Sequence, residues 1–180
     1  MRVVSVNVGT LRTIPWRGRQ VQTGIFKHSI NTRVAVRSLG IEGDQQADRR
    51  LHGGVDKAVY VYPKEHYQFW EEQYPDITLP WGMFGENLTI EGTLEGAMHI
   101  GDRWRIGSVQ FEIVQPRDPC YKLGVKFGSP KIIKQFLTSG RSGWYLKVIK
   151  EGELGADDEI VPLRQGSQPL ITNTKGKTDV

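Results

Sequence analysis

The apolar residues of this chain come in short alternating runs broken by glycine, and that pattern restricts it to a fold of many short strands. Val4, Val6 and Val8 alternate with polar neighbours, as in a strand with one buried face. Arg33-Val34-Ala35-Val36-Arg37 repeats the pattern, Ala58–Tyr62 is more continuously apolar, and Leu88-Thr89-Ile90 is a short strand. The clearest hairpin joins Arg103–Ile106 to Val109–Val114 through Gly107-Ser108, a two-residue turn that suits positive φ at glycine. Val109, Phe111 and Ile113 share one face of it. Trp144, Leu146 and Val148 alternate in the strand Trp144–Lys150, and residues 156–159 form a turn before Ile160-Val161. Two segments are helical. After Pro63, Tyr67, Trp70 and Tyr74 fall at helical spacing and Pro75 stops the run, an aromatic stripe read as core packing. Ser129-Pro130 caps and opens a helix whose apolar face is Ile132, Ile133, Phe136 and Leu137, ended by Gly140. With 21 glycines and only two convincing helices, the expected fold is mainly β, a closed or nearly closed β-barrel with a few short helices, forming one domain over residues 1–163. Residues 164–180 turn polar and lose periodicity, and are expected to be a poorly ordered tail.

Composition removes several function classes. No stretch is apolar enough to span a membrane, and the alternating start reads as a strand and not a signal peptide. A single cysteine allows no intrachain disulfide, which fits a reducing cytoplasm. The net charge of +4 is scattered; it permits anionic ligands without calling for nucleic acid. There is no Cys-x-x-Cys, His-Glu-x-x-His, phosphate-binding loop or dinucleotide fingerprint. His28, His52, His66 and His99 are dispersed and form no zinc signature.

Four clusters could carry chemistry. In Gln115-Pro116-Arg117-Asp118-Pro119-Cys120-Tyr121, a thiol follows a strand in a turn restricted by two prolines. Arg117 nearby favours its thiolate, the nucleophilic and metal-binding form, although a buried structural cysteine is the default for such a residue taken alone. The stretch Gly43–Lys57 packs acids, bases, His52 and the pair Gly53-Gly54 into a loop. His52 is a candidate proton donor or a turn residue bonded to a carbonyl, and the glycines allow close approach to a ligand. In Phe84-Gly85-Glu86-Asn87-Leu88, Asn87 offers an amide to a ligand or caps a bend. In Thr23-Gly24-Ile25-Phe26-Lys27, a lysine ends a short apolar segment.

Together these blocks resemble the MOSC domain family, named after the C-terminal domain of molybdenum cofactor sulfurase, and within it the stand-alone YiiM-type branch. Matching in order are Thr23–Lys27; Gly43 to Asp48 followed by His52-Gly53-Gly54 and Asp56-Lys57-Ala58; Phe84–Leu88; and Gln115-Pro116-Arg117 with Pro119-Cys120. The resemblance implies a β-barrel that binds molybdenum cofactor (molybdopterin), with Cys120 as the metal ligand. It implies two-electron reduction of N-hydroxylated compounds such as hydroxylaminopurines, hydroxylamines or amidoximes. A separate redox protein would supply the electrons, since the chain has no flavin or iron–sulfur motif. Lys27, Arg117, Arg50 and Asn87 are the expected cofactor contacts, and His52 the proton donor. Asp44, Asp48 and Asp56 mainly shape the loop. Membrane, nucleic acid and pyridoxal phosphate are not expected as partners. The tail is too short for the three-helix extension often carried by that branch. Other readings of the same residues are a cysteine nucleophile paired with His52 in transfer or hydrolysis, a non-catalytic carrier of the cofactor, and a nucleic-acid-binding barrel.

Overall fold

The computed structural model of the chain describes residues 1–47 and 53–171. Its first half contains β1 (Arg2–Val8), β2 (Arg12–Trp16), β3 (Arg19–Thr23), β4 (His28–Ile30), β5 (Val34–Arg37), β6 (Gly40–Ile41), β7 (Val59–Pro63) and α1 (Glu65–Gln73). Its second half contains β8 (Leu88–Glu91), β9 (His99–Ile100), β10 (Arg103–Ile106), β11 (Val109–Pro116), α2 (Tyr121–Lys126), α3 (Lys131–Ser139), β12 (Trp144–Lys150), β13 (Gly152–Leu154), β14 (Ile160–Arg164) and β15 (Gln168–Pro169). The mainly β expectation holds. Eight strands form one sheet in the order β14-β10-β11-β12-β7-β8-β1-β4.

Of the expected closed or nearly closed barrel, full closure is not seen: β14 and β4 are the edges of the sheet and do not pair with each other. The sheet curls far enough for the chain around β14 to reach β1. The Val3 N–H donates to the Asp158 carbonyl at 3.0 Å, and the Ile160 N–H donates to Met1 at 3.0 Å. Only one isolated bridge, Arg2 to Glu159, forms there among the described residues, so the contact remains short of a strand ladder.

Strand β7 explains the continuous apolar run at Ala58–Tyr62. It pairs antiparallel with β12 and parallel with β8, and both its faces are buried. Val59 and Val61 point into the cluster that holds Trp104, Phe111, Ile113, Trp144 and Leu146. Tyr60 and Tyr62 point the other way, into a second cluster with Trp70, Phe84, Phe127 and Phe136. The sheet therefore has two cores, one inside its curl and one beneath the helices. Helix α1 is the crossover that a parallel β7–β8 pair requires. It buries Tyr67 and Trp70 as the spacing predicts, and the Trp70 indole donates to the Tyr62 hydroxyl at 2.7 Å. Pro63 ends β7 instead of opening the helix. Helix α3 begins one residue after Pro130, packs Ile132 and Phe136 into the second core, and ends at Gly140 in the left-handed region (φ 69°).

The hairpin β10–β11 turns at Gly107-Ser108, with Ile106 opposite Val109 and Trp104 opposite Phe111. Residues 164–171 depart from the tail expectation. β15 pairs with β9, and Leu170 is buried with its N–H donating to the Met98 carbonyl at 2.8 Å. The polar composition hid this because one apolar residue and two strand pairs suffice to dock the segment. Elements with little sequence signal include the hairpin β2–β3 and helix α2, whose Gly124 lowers its helix propensity.

Gly143, at the start of β12, has φ 63°, and a Cβ there would lie 2.2 Å from the Val61 carbonyl oxygen. Gly143→Ala is therefore expected to lower unfolding free energy by about 2 kcal/mol or more through backbone strain and displacement of β7. Urea denaturation of the two proteins checks this; an unchanged midpoint would show that the β7–β12 contact yields easily.

Candidate functional site

Cys120 and Arg117 sit where β11 leaves the sheet. After Pro116 the chain turns through Asp118-Pro119 and enters α2 at Tyr121, with Cys120 extended as the residue before the helix (φ −121°, ψ 168°). The backbone N–H of Arg117 donates to the Gly143 carbonyl at 3.2 Å, so the turn is tied to β12. The Cys120 thiol is half-buried and opens onto a cleft of about 90 Å³. Thr23–Ile25, residues 44–47, Tyr60, Asn87 and Tyr145 form the rest of its wall. Four cationic side chains line it, Lys27, Lys57, Arg117 and Lys122, against two carboxylates, Asp44 and Asp118.

Arg117 is 6% exposed. Its guanidinium lies 4.7 Å from the Tyr60 ring centroid and 5.1 Å from that of Phe136. Stacking between two aromatic rings orients the plane and adds cation–π attraction. Nη1 donates to the Tyr60 hydroxyl at 3.5 Å, and that hydroxyl donates to the Ser142 carbonyl at 2.8 Å. Burial pushes the Tyr60 phenol well above its ordinary range, so it remains a donor. Burial alone would lower Arg117; the neighbouring Tyr60, Tyr145 and Cys120 outweigh that and hold it above the ordinary guanidinium value. Among the described residues no carboxylate lies within ion-pair distance of it. A buried, oriented guanidinium without a carboxylate, beside a thiol, is an anion site.

Lys27 and Asn87 reach the same cleft, but their polar groups are engaged. The Lys27 ammonium pairs with Asp44, with the two side chains 7% and 3% exposed. Burial lowers the Lys27 pKa, and Asp44 opposes that shift. Asp44 also accepts from the Gly9 N–H at 2.9 Å and from Asn87 Nδ2 at 2.9 Å. Asn87 in turn donates to the Asn7 carbonyl at 3.3 Å and accepts from the Tyr60 N–H at 3.1 Å. Both residues brace the cleft wall through these bonds, and both also line the cleft where a ligand contact was expected. Gly24 permits the wall's closest approach, since a Cβ there would lie 2.0 Å from the Gln45 carbonyl oxygen. Asp56 forms an exposed pair with Lys147 at 3.6 Å, away from the cleft wall. His52, Arg50 and Asp48 lie outside the described residues.

Several residues that shape the site carried no clear sequence signal. Glu86 is fully buried and accepts from the Tyr67 hydroxyl, from the Gly82 and Phe84 N–H groups at 2.8 and 3.0 Å, and from Thr89 Oγ1 at 3.0 Å. Lys126, on α2, donates to the Gly82 carbonyl at 2.6 Å and the Ile25 carbonyl at 3.1 Å, pinning two loops to the helix. Burial pushes its ammonium down to about 8; Glu86 opposes this and the cations Lys27, Arg117 and Arg12 add to it. Gln46 lines the cleft, and its Oε1 is buried and accepts no hydrogen bond among the described residues.

The mainly β domain thus brings a thiol, an oriented guanidinium and further cationic side chains to one cleft. Comparison with known proteins makes the class specific. Residues 48–161 match the MOSC domain. The Bacillus subtilis protein YflK is 39% identical over 168 residues, covering 93% of this chain and 76% of that protein. A Gibberella moniliformis protein named reductase is 32% identical over 150 residues, covering 79% of this chain and 26% of that longer protein. The crystal structure of YiiM from Geobacillus stearothermophilus superposes with a TM-score of 0.78 at 34% identity, covering 96% of this chain and 80% of that one. The chain belongs to the MOSC domain family, in its YiiM-type branch. No helix among the described residues is long and apolar enough to cross a membrane.

Two outcomes test this electrostatic description. Asp44→Ala leaves Lys27 buried without its carboxylate and is expected to cost about 3–5 kcal/mol in urea unfolding. The double variant Lys27→Met/Asp44→Leu should recover only the part of that loss due to the unpaired ammonium, because the Gly9 N–H and the Asn87 amide still lack their acceptor. Lys126, held below its unfolded pKa, binds fewer protons in the folded state between about pH 8 and 10.5. Its contribution therefore makes stability rise with pH across that window, since the unfolded chain is the better proton acceptor there. Unfolding midpoints at pH 7.5, 9 and 10 should show this rise relative to Lys126→Met; parallel curves would refute it.

Proposed function

We propose that this protein is a molybdenum-cofactor-dependent reductase of N-hydroxylated compounds. The observation that carries the reading is the convergence of the Cys120 thiol and the carboxylate-free Arg117 guanidinium in one cleft. Membership of the MOSC domain family, and a relative named reductase, support it. The donor set fits such a cofactor. A thiolate is a soft ligand for a metal already held by sulfur. Arg117, Lys57 and Lys122 complement an anionic group.

When bound, the cofactor supplies two-electron redox chemistry. The chain supplies binding, orientation and protons. Cys120 holds the metal-bearing end. Arg117, fixed by Tyr60 and Phe136, contacts the anionic part without having to reorganise. Reduction consumes two electrons and two protons per substrate; the N–O bond breaks, and the amine and water leave. The electrons come from a separate redox protein. His52 is proposed to deliver a proton to the departing hydroxyl.

Protein purified anaerobically from cells that make the cofactor is expected to carry molybdenum and pterin, and to reduce hydroxylaminopurine with reduced viologen. Cys120→Ser should lose most of the metal while keeping the unfolding midpoint. Arg117→Met should weaken cofactor retention roughly ten- to a hundred-fold, the effect of one charge-assisted contact. Metal absent from the wild type despite an active cofactor pathway and attempted reconstitution would overturn the reading and favour Cys120 as a nucleophile.

A further inference from the structure

From Met1 to Ile41 the chain has no aspartate or glutamate, but it has six arginines and a lysine. Folding brings later carboxylates to four of these cations. Arg2 meets Glu91, Lys27 meets Asp44, Arg33 meets Asp158 at 2.8 Å, and Arg37 meets Glu42 at 3.3 Å. The three left over are Arg12, Arg17 and Arg19, and none has a carboxylate partner among the described residues. All three are exposed and lie on one element, the β2–β3 hairpin. That hairpin pairs with no other described strand.

The arm is nonetheless fixed beside the cleft. Trp16, at its tip, stacks on Tyr121 with ring centroids 4.7 Å apart, and Tyr121 follows Cys120 directly. Its other end, Thr23, is buried in the cleft wall. Arg12 lies 5.5 Å over the Phe26 ring and Arg17 lies 5.5 Å over the Trp16 ring, so two guanidinium groups rest on aromatic faces. The fold thus neutralises its other N-terminal cations and leaves a concentrated positive arm at the mouth of the site. Unpaired like charges held together repel and add nothing to stability, but they attract and orient a partner of opposite charge.

We infer that the β2–β3 hairpin is the docking arm for an acidic electron-carrier protein, whose surface carboxylates meet Arg12, Arg17 and Arg19 and whose redox group then faces the Cys120 cleft. The inference rests on the proposed reductase reading, in which each turnover oxidises the carrier by two electrons. A protein partner fits better than a nucleic acid, because Trp16 is already stacked on Tyr121 and offers no open platform for a base.

The test uses cofactor-loaded wild type, Arg17→Glu/Arg19→Glu and Arg17→Gln/Arg19→Gln. Hydroxylaminopurine reduction is followed with two donors, reduced methyl viologen and a reduced flavodoxin, an acidic carrier used as probe. With flavodoxin at low ionic strength, the charge-reversed variant should lose roughly ten-fold or more in kcat/KM, the neutral variant should lose less, and the salt dependence seen in the wild type should flatten. Turnover with viologen should stay at the wild-type level in both variants. Equal flavodoxin kinetics in all three proteins would overturn the inference. So would an equal loss with both donors, which would place the arm in substrate binding or folding, or salt-sensitive binding of a single-stranded oligonucleotide abolished by the same changes without any change in flavodoxin kinetics. A wild type that turns over with viologen but accepts no electrons from flavodoxin would also overturn it. No turnover with viologen in the loaded wild type would instead remove the reductase reading, and donor docking with it.

Discussion

The cleft depends on one buried carboxylate. Asp44 accepts from the Lys27 ammonium, the Gly9 backbone and the Asn87 amide, three groups from three separate segments. Asn87 extends the connection to Asn7 on β1 and Tyr60 on β7. Loop 42–47, the 24–27 segment, β1, β7 and the start of β8 are thereby held in one arrangement. An isolated charge buried at this depth would be costly, and a hydrogen bond from each side is what makes the carboxylate tolerable. In the same network the Lys27 charge is balanced by Asp44 while the residue still lines the cleft.

Arg117 is the opposite case. It is as deeply buried but is held by ring faces and a phenol instead of a carboxylate. Its charge is oriented but remains available. The second core makes this possible, because Tyr60 and Phe136 belong both to the aromatic cluster under the helices and to the Arg117 clamp. Packing and site chemistry are therefore coupled through two side chains. A change that loosens α3 would be felt at the guanidinium before it reached Cys120.

The distribution of charge separates stability from recognition. Across the N-terminal part, cations that serve the fold have found carboxylates from distant segments, whereas those on the β2–β3 arm have not. Two kinds of cationic group thus surround the cleft. Arg117, together with Lys57 and Lys122, faces inward, where a small anionic ligand would sit. Arg12, Arg17 and Arg19 are exposed on the arm, where the proposed protein partner would meet them.

Period-2 alternation sufficed to locate β5, β10, β11 and β12, because one buried face imposes that pattern; it also located β1, although there a register shift between Val3 and Ser5 puts Val3 and not Val4 in the core, and Ser5 and Asn7 are buried as well. The helical spacing of Tyr67 and Trp70, and of Ile132 and Phe136, placed α1 and α3 for the same reason. The sequence blocks also brought Cys120, Arg117, Lys27 and Asn87 into the candidate set, and all four line one cleft. Sheet closure was not legible, since whether two edges meet depends on accumulated twist and curl, which no local pattern encodes. Nor were the roles within the cleft. Glu86 in a Gly-rich bend reads as a solvated acid until four donors are seen around it. Lys126 reads as a surface lysine until α2 carries it between two carbonyls. Periodicity is a property of neighbours along the chain, so the sequence alone determined the longer core strands, the two longer helices and the residues with chemistry. Which of those residues spend their hydrogen bonds on the fold and which keep them for a ligand is a property of contacts between segments as far apart as Asp44 and Asn87, and only the tertiary structure decided it.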